Sequence, residues 1–303
     1  MLVKVLGSAA GGGFPQWNCN TRLSRFAWDG RSGVLARTQS SIAVSALGDE
    51  WIVFNASPDI RQQIWNTPEL QPSRKGALRN SPIKGVVLTN GDVDHVAGLL
   101  SLRERQQFEI FATSRVLSVL DSNSIFRVLD PAVVPRRPIA IGEPIMVAGI
   151  EFEAFDVPGK VALYLEDASK GADFGTEAGD TIGMKISAEG SGTLFYIPGC
   201  ASVDELILRR VSGCDCLLFD GTVFNDTEMR DEGVGEKTGR RMGHIPIAGE
   251  GGSLHAFDTA EIGRKIFIHI NTTNPILEPG SDAEGAARSA GWEIAYDGMT
   301  IKI

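Results

Sequence analysis

The sequence predicts an α/β chain built as a four-layer αββα sandwich, with two sheets face to face and helices on both outer faces. Three observations carry this expectation. Apolar, strand-like runs punctuated by helix-like segments occur twice along the chain. Tight turns join too many of those runs for a doubly wound parallel sheet, the competing architecture. The chain has 303 residues, 43% of them hydrophobic, enough to bury a full core. With no internal repeat to divide it, residues 1–303 are expected to form a single domain.

The elements follow in order. Met1–Leu6 reads as a strand and runs into a glycine-rich loop, Gly7–Pro15. Ser41–Leu47 and Trp51–Asn55 are apolar runs separated by Gly48-Asp49-Glu50, the pattern of a hairpin. Gly85–Leu88 is a short buried strand, and His95–Arg105 and Arg115–Asn123 read as helices. Leu129–Gly149 carries a proline cluster and is expected to be loop-rich. The second half repeats the theme. Ile150–Val157, Thr181–Ser187 and Thr193–Ile197 are strands, Val203–Val211 a helix and Cys214–Phe219 a strand. Residues 221–256 are Gly-rich and polar, a long loop of the kind that carries function. Lys265–Ile270 is a strand, Ser281–Ala290 a helix, and two short strands close the chain.

Composition excludes several functions. A net charge of -9 argues against nucleic acid as a partner and against a polybasic membrane anchor. No run approaches 18 consecutive apolar residues, so no membrane span is expected. The first residues read as a strand, not a signal peptide. The four cysteines (Cys19, Cys200, Cys214, Cys216) contain no C-x-x-C and suit a reducing cytoplasm.

Three places could carry chemistry. Thr89-Asn90-Gly91-Asp92-Val93-Asp94-His95 packs two carboxylates, an amide and an imidazole between a buried strand and a helix. A helix cap accounts for one aspartate; the second aspartate and the histidine point to a metal site. His269 lies near the end of KIFIHINTTNP and is followed at once by the polar run Asn271–Asn274. Asp220 ends the apolar strand of CLLFDGT, where it either caps the turn or faces the same pocket. His244 lies in the long loop as an acid/base or substrate contact, whereas His255 reads as incidental. The Gly7–Gly13 loop is neither a dinucleotide fingerprint nor a P-loop, and reads as a tight loop that lets backbone approach a site. No G-x-S-x-G is present, so a serine hydrolase has no support.

Residues 88–95, LTNGDVDH, resemble a degraded H-x-H-x-D-H, the metal motif of the metallo-β-lactamase fold. GSAAGGGFPQWNCN, ARTQSSIA, NASPDIR, DHVAGLLSLRE, LLFDGT, GVGEKTGRRMGH and HINTTNPIL, spread over residues 7–277, together resemble the B-protein family of pyrroloquinoline quinone (PQQ) synthesis. The resemblance implies the metallo-β-lactamase αββα sandwich. It carries over Asp94, His95 and His269 as ligands of one metal position. Asn90 and Asp92 stand where the general motif has histidines, and Cys200 stands where a bridging aspartate is usual, so the other position is dismantled.

Two imidazoles and one carboxylate with open positions is the ligand set of non-heme Fe(II) oxygenases. That ligand set points to oxidation. Together with the substrate the family resemblance implies, a glutamate–tyrosine-derived PQQ precursor, the expected function is iron-dependent hydroxylation of its tyrosine ring, with zinc possible in the purified protein. A carrier that binds PQQ or a precursor and assists its transport to the periplasm is the alternative, and a zinc hydrolase the weaker one. Asp92 and Asp220 are expected to serve the reaction, either at the metal or by orienting its ligands. Arg37, Arg61, Arg103, Thr272 and Asn274 are the expected substrate contacts. Other PQQ-pathway proteins are implied as partners. Family members carry a C-x-C-x-x-C structural zinc segment; here Thr21 and Ser24 replace two of its thiols, so this zinc is expected to be absent.

Overall fold

The computed structural model describes residues 1–31, 33–171 and 173–303. It is the metallo-β-lactamase fold expected from the sequence, two mixed sheets of seven strands each with helices outside. The first sheet contains β1 (Leu2–Gly7), β2 (Ser41–Ser45), β3 (Trp51–Phe54), β4 (Ile83–Val87), β5 (Glu109–Ala112) and β6 (Arg136–Pro138). The second contains β7 (Pro144–Val147), β8 (Ile150–Asp156), β9 (Ile182–Ala188), β10 (Leu194–Ile197), β11 (Cys216–Asp220), β12 (Arg264–Ile268) and β13 (Trp292–Ile294). The last strand, β14 (Thr300–Lys302), returns to pair with β1. In each sheet three antiparallel pairings give way to three parallel ones: β14-β1-β2-β3, then β3-β4-β5-β6; and β7-β8-β9-β10, then β10-β11-β12-β13.

Alternation along the strands builds the layers. Val3, Val5, Ile42, Val44 and Phe54 of the first sheet meet Phe152, Met184, Tyr196, Leu218 and Ile266 of the second in a buried core between the sheets. The alternate residues Ala43, Trp51, Val53 and Val86 pack outward against Ile60, Val116 and Leu120 of the helices Ile60–Asn66 and Ser114–Ser122. On the other side, Phe195, Leu217, Phe219 and Phe267 pack against Ile207, Val211, Ala283 and Ala287 of Glu205–Val211 and Asp282–Ser289.

Three expectations are corrected. The loop-rich stretch Leu129–Gly149 contains β6 and β7, which have only three and four residues and begin at or end on prolines. The helix His95–Arg105 is instead one α-turn, Val93–Val96, followed by a 3₁₀ segment, Ala97–Leu102. Its ladder is diverted: the Gly98 N–H donates to the Ala56 carbonyl at 2.9 Å, and the His95 carbonyl accepts from the Ala56 N–H at 2.8 Å. An added Cβ at Gly98 would lie 2.0 Å from the Ser57 carbonyl oxygen, so only glycine permits this contact. Finally, β12 stops at Ile268 rather than Ile270, because His269 takes a left-handed φ of 59°.

Candidate metal centre

The parallel strands β4, β11 and β12 all end at one crevice, the place where open α/β sheets bind ligands. After β4, Asn55 clamps Thr89 through three hydrogen bonds: its Nδ2 donates to Thr89 Oγ1 at 2.9 Å, and its Oδ1 accepts from the Thr89 N–H at 2.9 Å and from Oγ1 at 3.2 Å. This fixes the chain that delivers Asn90, Asp92, Asp94 and His95. Asp92 occupies the N-cap position of Val93–Val96, yet its side chain makes no capping hydrogen bond there. It accepts instead from the Leu163 N–H at 3.1 Å, across the cavity wall. The capping explanation therefore fails for this aspartate.

After β12, the positive φ of His269 breaks the strand alternation and turns its ring into the crevice. Such a conformation is uncommon for a non-glycine residue and clusters at functional sites. Ile268 still points between the sheets, while Ile270 packs on the outer core.

Asp94, His95 and His269 come together as a group whose ligand atoms suit one metal ion. Asp94 Oδ2 is 3.1 Å from His269 Nε2 and 3.7 Å from His95 Nε2. Ligand atoms about 2.1 Å from a common ion lie roughly 3.0–3.4 Å apart in octahedral or tetrahedral arrangements, so the group is close to closed around an ion. The tautomers agree. His95 Nδ1 donates to Asn90 Oδ1 at 2.7 Å, leaving Nε2 as a lone pair. That Nε2 is buried with no hydrogen-bond partner, a costly arrangement unless something binds it. His269 Nδ1 donates to Thr222 Oγ1 at 2.8 Å, so Nε2 is the nitrogen an ion would take; without one it faces Asp94 Oδ2 as a hydrogen-bond partner.

The electrostatics follow from the same packing. Burial alone would raise Asp94, but His95 and His269 outweigh it and hold its carboxyl well below the usual range. Burial pushes the His95 imidazole down to about 4, keeping it neutral and able to ligate. Burial also disfavours charge on His269, but the hydrogen bond and charge of Asp94 prevail and raise it. Asp92 is raised by burial and by its neighbour Asp94.

Asp220, His244 and His269 form a second group with metal-ligand geometry. Here, however, the carboxylate is committed to hydrogen bonds. Asp220 Oδ2 accepts from the Cys200 N–H at 2.9 Å and from His244 Nδ1 at 2.7 Å. Its Oδ1 accepts from the Thr222 N–H at 3.0 Å and Oγ1 at 2.7 Å. Asp220 thus orients two histidines: His244 directly and His269 through Thr222. His244 stacks on His269 at 5.1 Å, and it lines the cavity.

The cavity has a volume of about 380 Å³ and takes in Gly11, Asp92, Asp94, His95, Thr222, His244 and His269. The glycine loop approaches as expected: a Cβ on Gly11 would sit 3.4 Å from Asp94 Cγ.

The five expected substrate contacts lie elsewhere. The Arg37 guanidinium donates to the Ala295 carbonyl and Ser8 Oγ, tying the N-terminal loop to the segment after β13; burial lowers it to about 10. Arg61 is exposed on Ile60–Asn66. Arg103 is exposed beside Glu104 at 3.7 Å. Thr272 Oγ1 bonds Ser24 Oγ at 3.1 Å. Asn274 is fully buried, donating to the Gly221 and Thr222 carbonyls and accepting from the Ile276 N–H, so it holds the turn that presents Thr222. The cations that do line the cavity are Lys160 and Lys237. Lys237 lies in the family-like block GVGEKTGRRMGH without being among the expected contacts, and no motif marks Lys160. Lys160 follows the bare Val157-Pro158-Gly159, and Lys237 sits in the long loop. Around Cys19 lie three hydroxyls in a chain: Thr21 at 3.4 Å from its Sγ, then Ser24, then Thr272. One thiol among alcohols is a poor zinc donor set.

Fold and ligand group together define a metallo-β-lactamase-type protein, and a family model described as a beta-lactamase superfamily domain matches residues 50–270. The chain is 51% identical to coenzyme PQQ synthesis protein B of Methylobacterium sp. (strain 4-46) over the whole of both chains. It is also 51% identical to the protein of that name from Rhizobium meliloti (strain 1021), over all of this chain and 98% of the relative. The crystal structure of Zn²⁺-bound PqqB from Methylobacterium extorquens superposes with a TM-score of 0.95 at 51% identity, covering all of each chain. The chain belongs to the coenzyme PQQ synthesis protein B family, which places it in PQQ biosynthesis. No helix among the described residues is long and apolar enough to cross a membrane.

Proposed function

We propose that this chain is an iron- and O₂-dependent hydroxylase acting on the tyrosine ring of a glutamate–tyrosine-derived PQQ precursor. The observation that carries this reading is the two-histidine, one-carboxylate group at Asp94, His95 and His269, with His95 Nε2 buried and unpartnered. When bound there, divalent iron supplies the redox chemistry of dioxygen activation. A dinuclear hydrolase needs a second cation to clamp the attacking oxygen. Here the second group is spent on hydrogen bonds to Asp220, which favours oxidation over hydrolysis.

The chain's own groups then divide the work. Asn90 and Thr222 fix the ring orientations of His95 and His269. Asp220 holds His244 by Nδ1, so its Nε2 is the base that accepts the phenolic proton. In the balanced reaction one oxygen atom enters the ring and the other leaves as water, with two electrons from an external reductant.

The test is anaerobic reconstitution with Fe(II), followed by O₂, ascorbate and a glutamate–tyrosine substrate analogue, with products read by mass. A product one oxygen heavier, absent with zinc and absent in His95→Ala, is expected. If metal and analogue are both bound but no oxygen is incorporated, the hydroxylase reading falls and a carrier takes its place.

A further inference from the structure

A surplus of positive charge stands at the wall of the metal-ligand cavity. Glu166 is a single carboxylate with three cations on it. Arg241 grips it through both oxygens at 3.2 and 2.7 Å, Lys160 Nζ lies at 3.0 Å, and Lys237 Nζ lies at 3.7 Å. Lys160 also faces the charge of Asp92 across the cavity, so against three cations stand Glu166 and Asp92, and the unbalanced positive charge is that of Lys237. The three are not equally committed. Arg241 is bidentate and also stacks on the Phe174 ring at 3.7 Å. Lys160 is mostly buried, whereas Lys237 is 38% exposed and only loosely paired. Both lysines line the cavity that contains Asp94, His95 and His269. Leu163, Met229 and Met242 share its walls. Apolar and thioether side chains make favourable contacts with aromatic rings. The chain as a whole is acidic, so a cationic rim at this one cavity is a local selection for anions.

We propose that Lys160 and Lys237, preorganised with Arg241 on Glu166, form an anion subsite that takes a carboxylate of an aromatic, multiply carboxylated ligand while its ring lies against Met229 and Met242. The inference rests on reading the cavity as the substrate's, and it replaces Arg37, Arg61 and Arg103 in the role of carboxylate contacts. Glu166 acts as a gate on that charge. Its carboxyl is held down to about 2 by the Arg241 hydrogen bonds, which outweigh burial, with Lys160 adding to them, so it stays ionised at neutral pH.

The two sides of the cluster predict opposite signs. The experiment titrates benzene-1,3,5-tricarboxylate into the full zinc-loaded chain by calorimetry, with benzoate and inorganic phosphate as comparison probes. Lys237→Gln should weaken tricarboxylate binding about tenfold, the worth of one hydrogen bond to a charged group. Lys160→Gln should weaken it at least as much. Glu166→Gln should tighten it, because two cations are released toward the cavity. Added salt should weaken it in the wild type. Benzoate should bind poorly.

Unchanged binding in Lys237→Gln, which is exposed enough to fold normally, overturns the subsite. So does weaker binding in Glu166→Gln, which would make the cluster a structural clamp. Phosphate binding as tightly as the tricarboxylate overturns the carboxylate class. Metal content, measured in every variant, separates this from the hydroxylase reading. Opposite shifts with no oxygen incorporation retain the subsite and remove the hydroxylase; oxygen incorporation with no charge dependence does the reverse.

Discussion

At the scale of single residues, the centre depends on atoms that never touch the metal position. Thr222 Oγ1 is the clearest case. It accepts from His269 Nδ1 and passes its own proton to Asp220 Oδ1, so one hydroxyl sets both tautomer and ring orientation. Thr222→Val keeps the shape and removes the relay. Metal affinity should then fall about 10–100-fold, the usual cost of losing an orienting partner, with the melting temperature of the metal-free chain little changed. A competition titration with a chelator of known affinity checks this. His244→Gln should behave differently. It leaves Asp94, His95 and His269 intact, so metal content should persist while hydroxylation falls roughly 10²–10⁴-fold, as for loss of a general base. Equal loss of metal and turnover in that variant would instead make His244 a ligand.

At the scale of elements, the long loop 221–256 is pinned by Glu228, a buried carboxyl on the short helix Glu228–Asp231. It accepts from the Phe224 N–H at 2.6 Å, the Asn225 N–H at 3.3 Å and Thr273 Oγ1 at 2.7 Å. Burial pushes it up to about 7 from an ordinary 4.5. The folded chain therefore keeps a proton that the unfolded chain has released, and stability falls as pH rises from about 4.5 to about 7. Glu228→Gln removes this titration, and its amide can still meet the Thr273 hydroxyl. Urea unfolding across that range should show a flatter pH profile for the variant than for the wild type.

The elements also show what is legible in the sequence. Long strands such as β8, β9 and β11 announce themselves by apolar alternation or continuous apolar runs. So does the pairing of β2 with β3 across Gly48-Asp49-Glu50. β5, β6 and β7 are three or four residues long and, unlike the equally short but wholly apolar β3 and β10, carry a charge or a proline at an end (Glu109 in β5, Arg136 and Pro138 in β6, Pro144 in β7), so no apolar run shows. The helix after Asp94 is shorter than its apolar pattern suggests because tertiary bonds to Ala56 override its local ladder. The ligand group is readable because each member sits in a distinctive local run. The lysines are not, because Lys160 and Lys237 acquire meaning only when two segments 77 positions apart meet on Glu166.

At the scale of the whole molecule, the two sheets are built alike, and each contributes its parallel half to the crevice. Asp94 and His95 follow β4 of the first sheet, and His269 follows β12 of the second. An ion on these residues would bridge the sheets across the end of their common core. Because the geometry exists only in the folded chain, binding adds directly to folding stability. At a free metal concentration a hundredfold above Kd the gain is about 2.7 kcal/mol, worth a few degrees in melting temperature for a chain of this size. Chelation should therefore lower the melting temperature of the loaded wild type by that amount, and re-addition of metal should restore it. Asp94→Ala should melt at one temperature with or without metal, since the bridge has lost the carboxylate that touches both histidines. A metal-dependent shift that survives in Asp94→Ala would mean that the stabilising ion is held elsewhere, with Asp220, His244 and His269 the next group to vary.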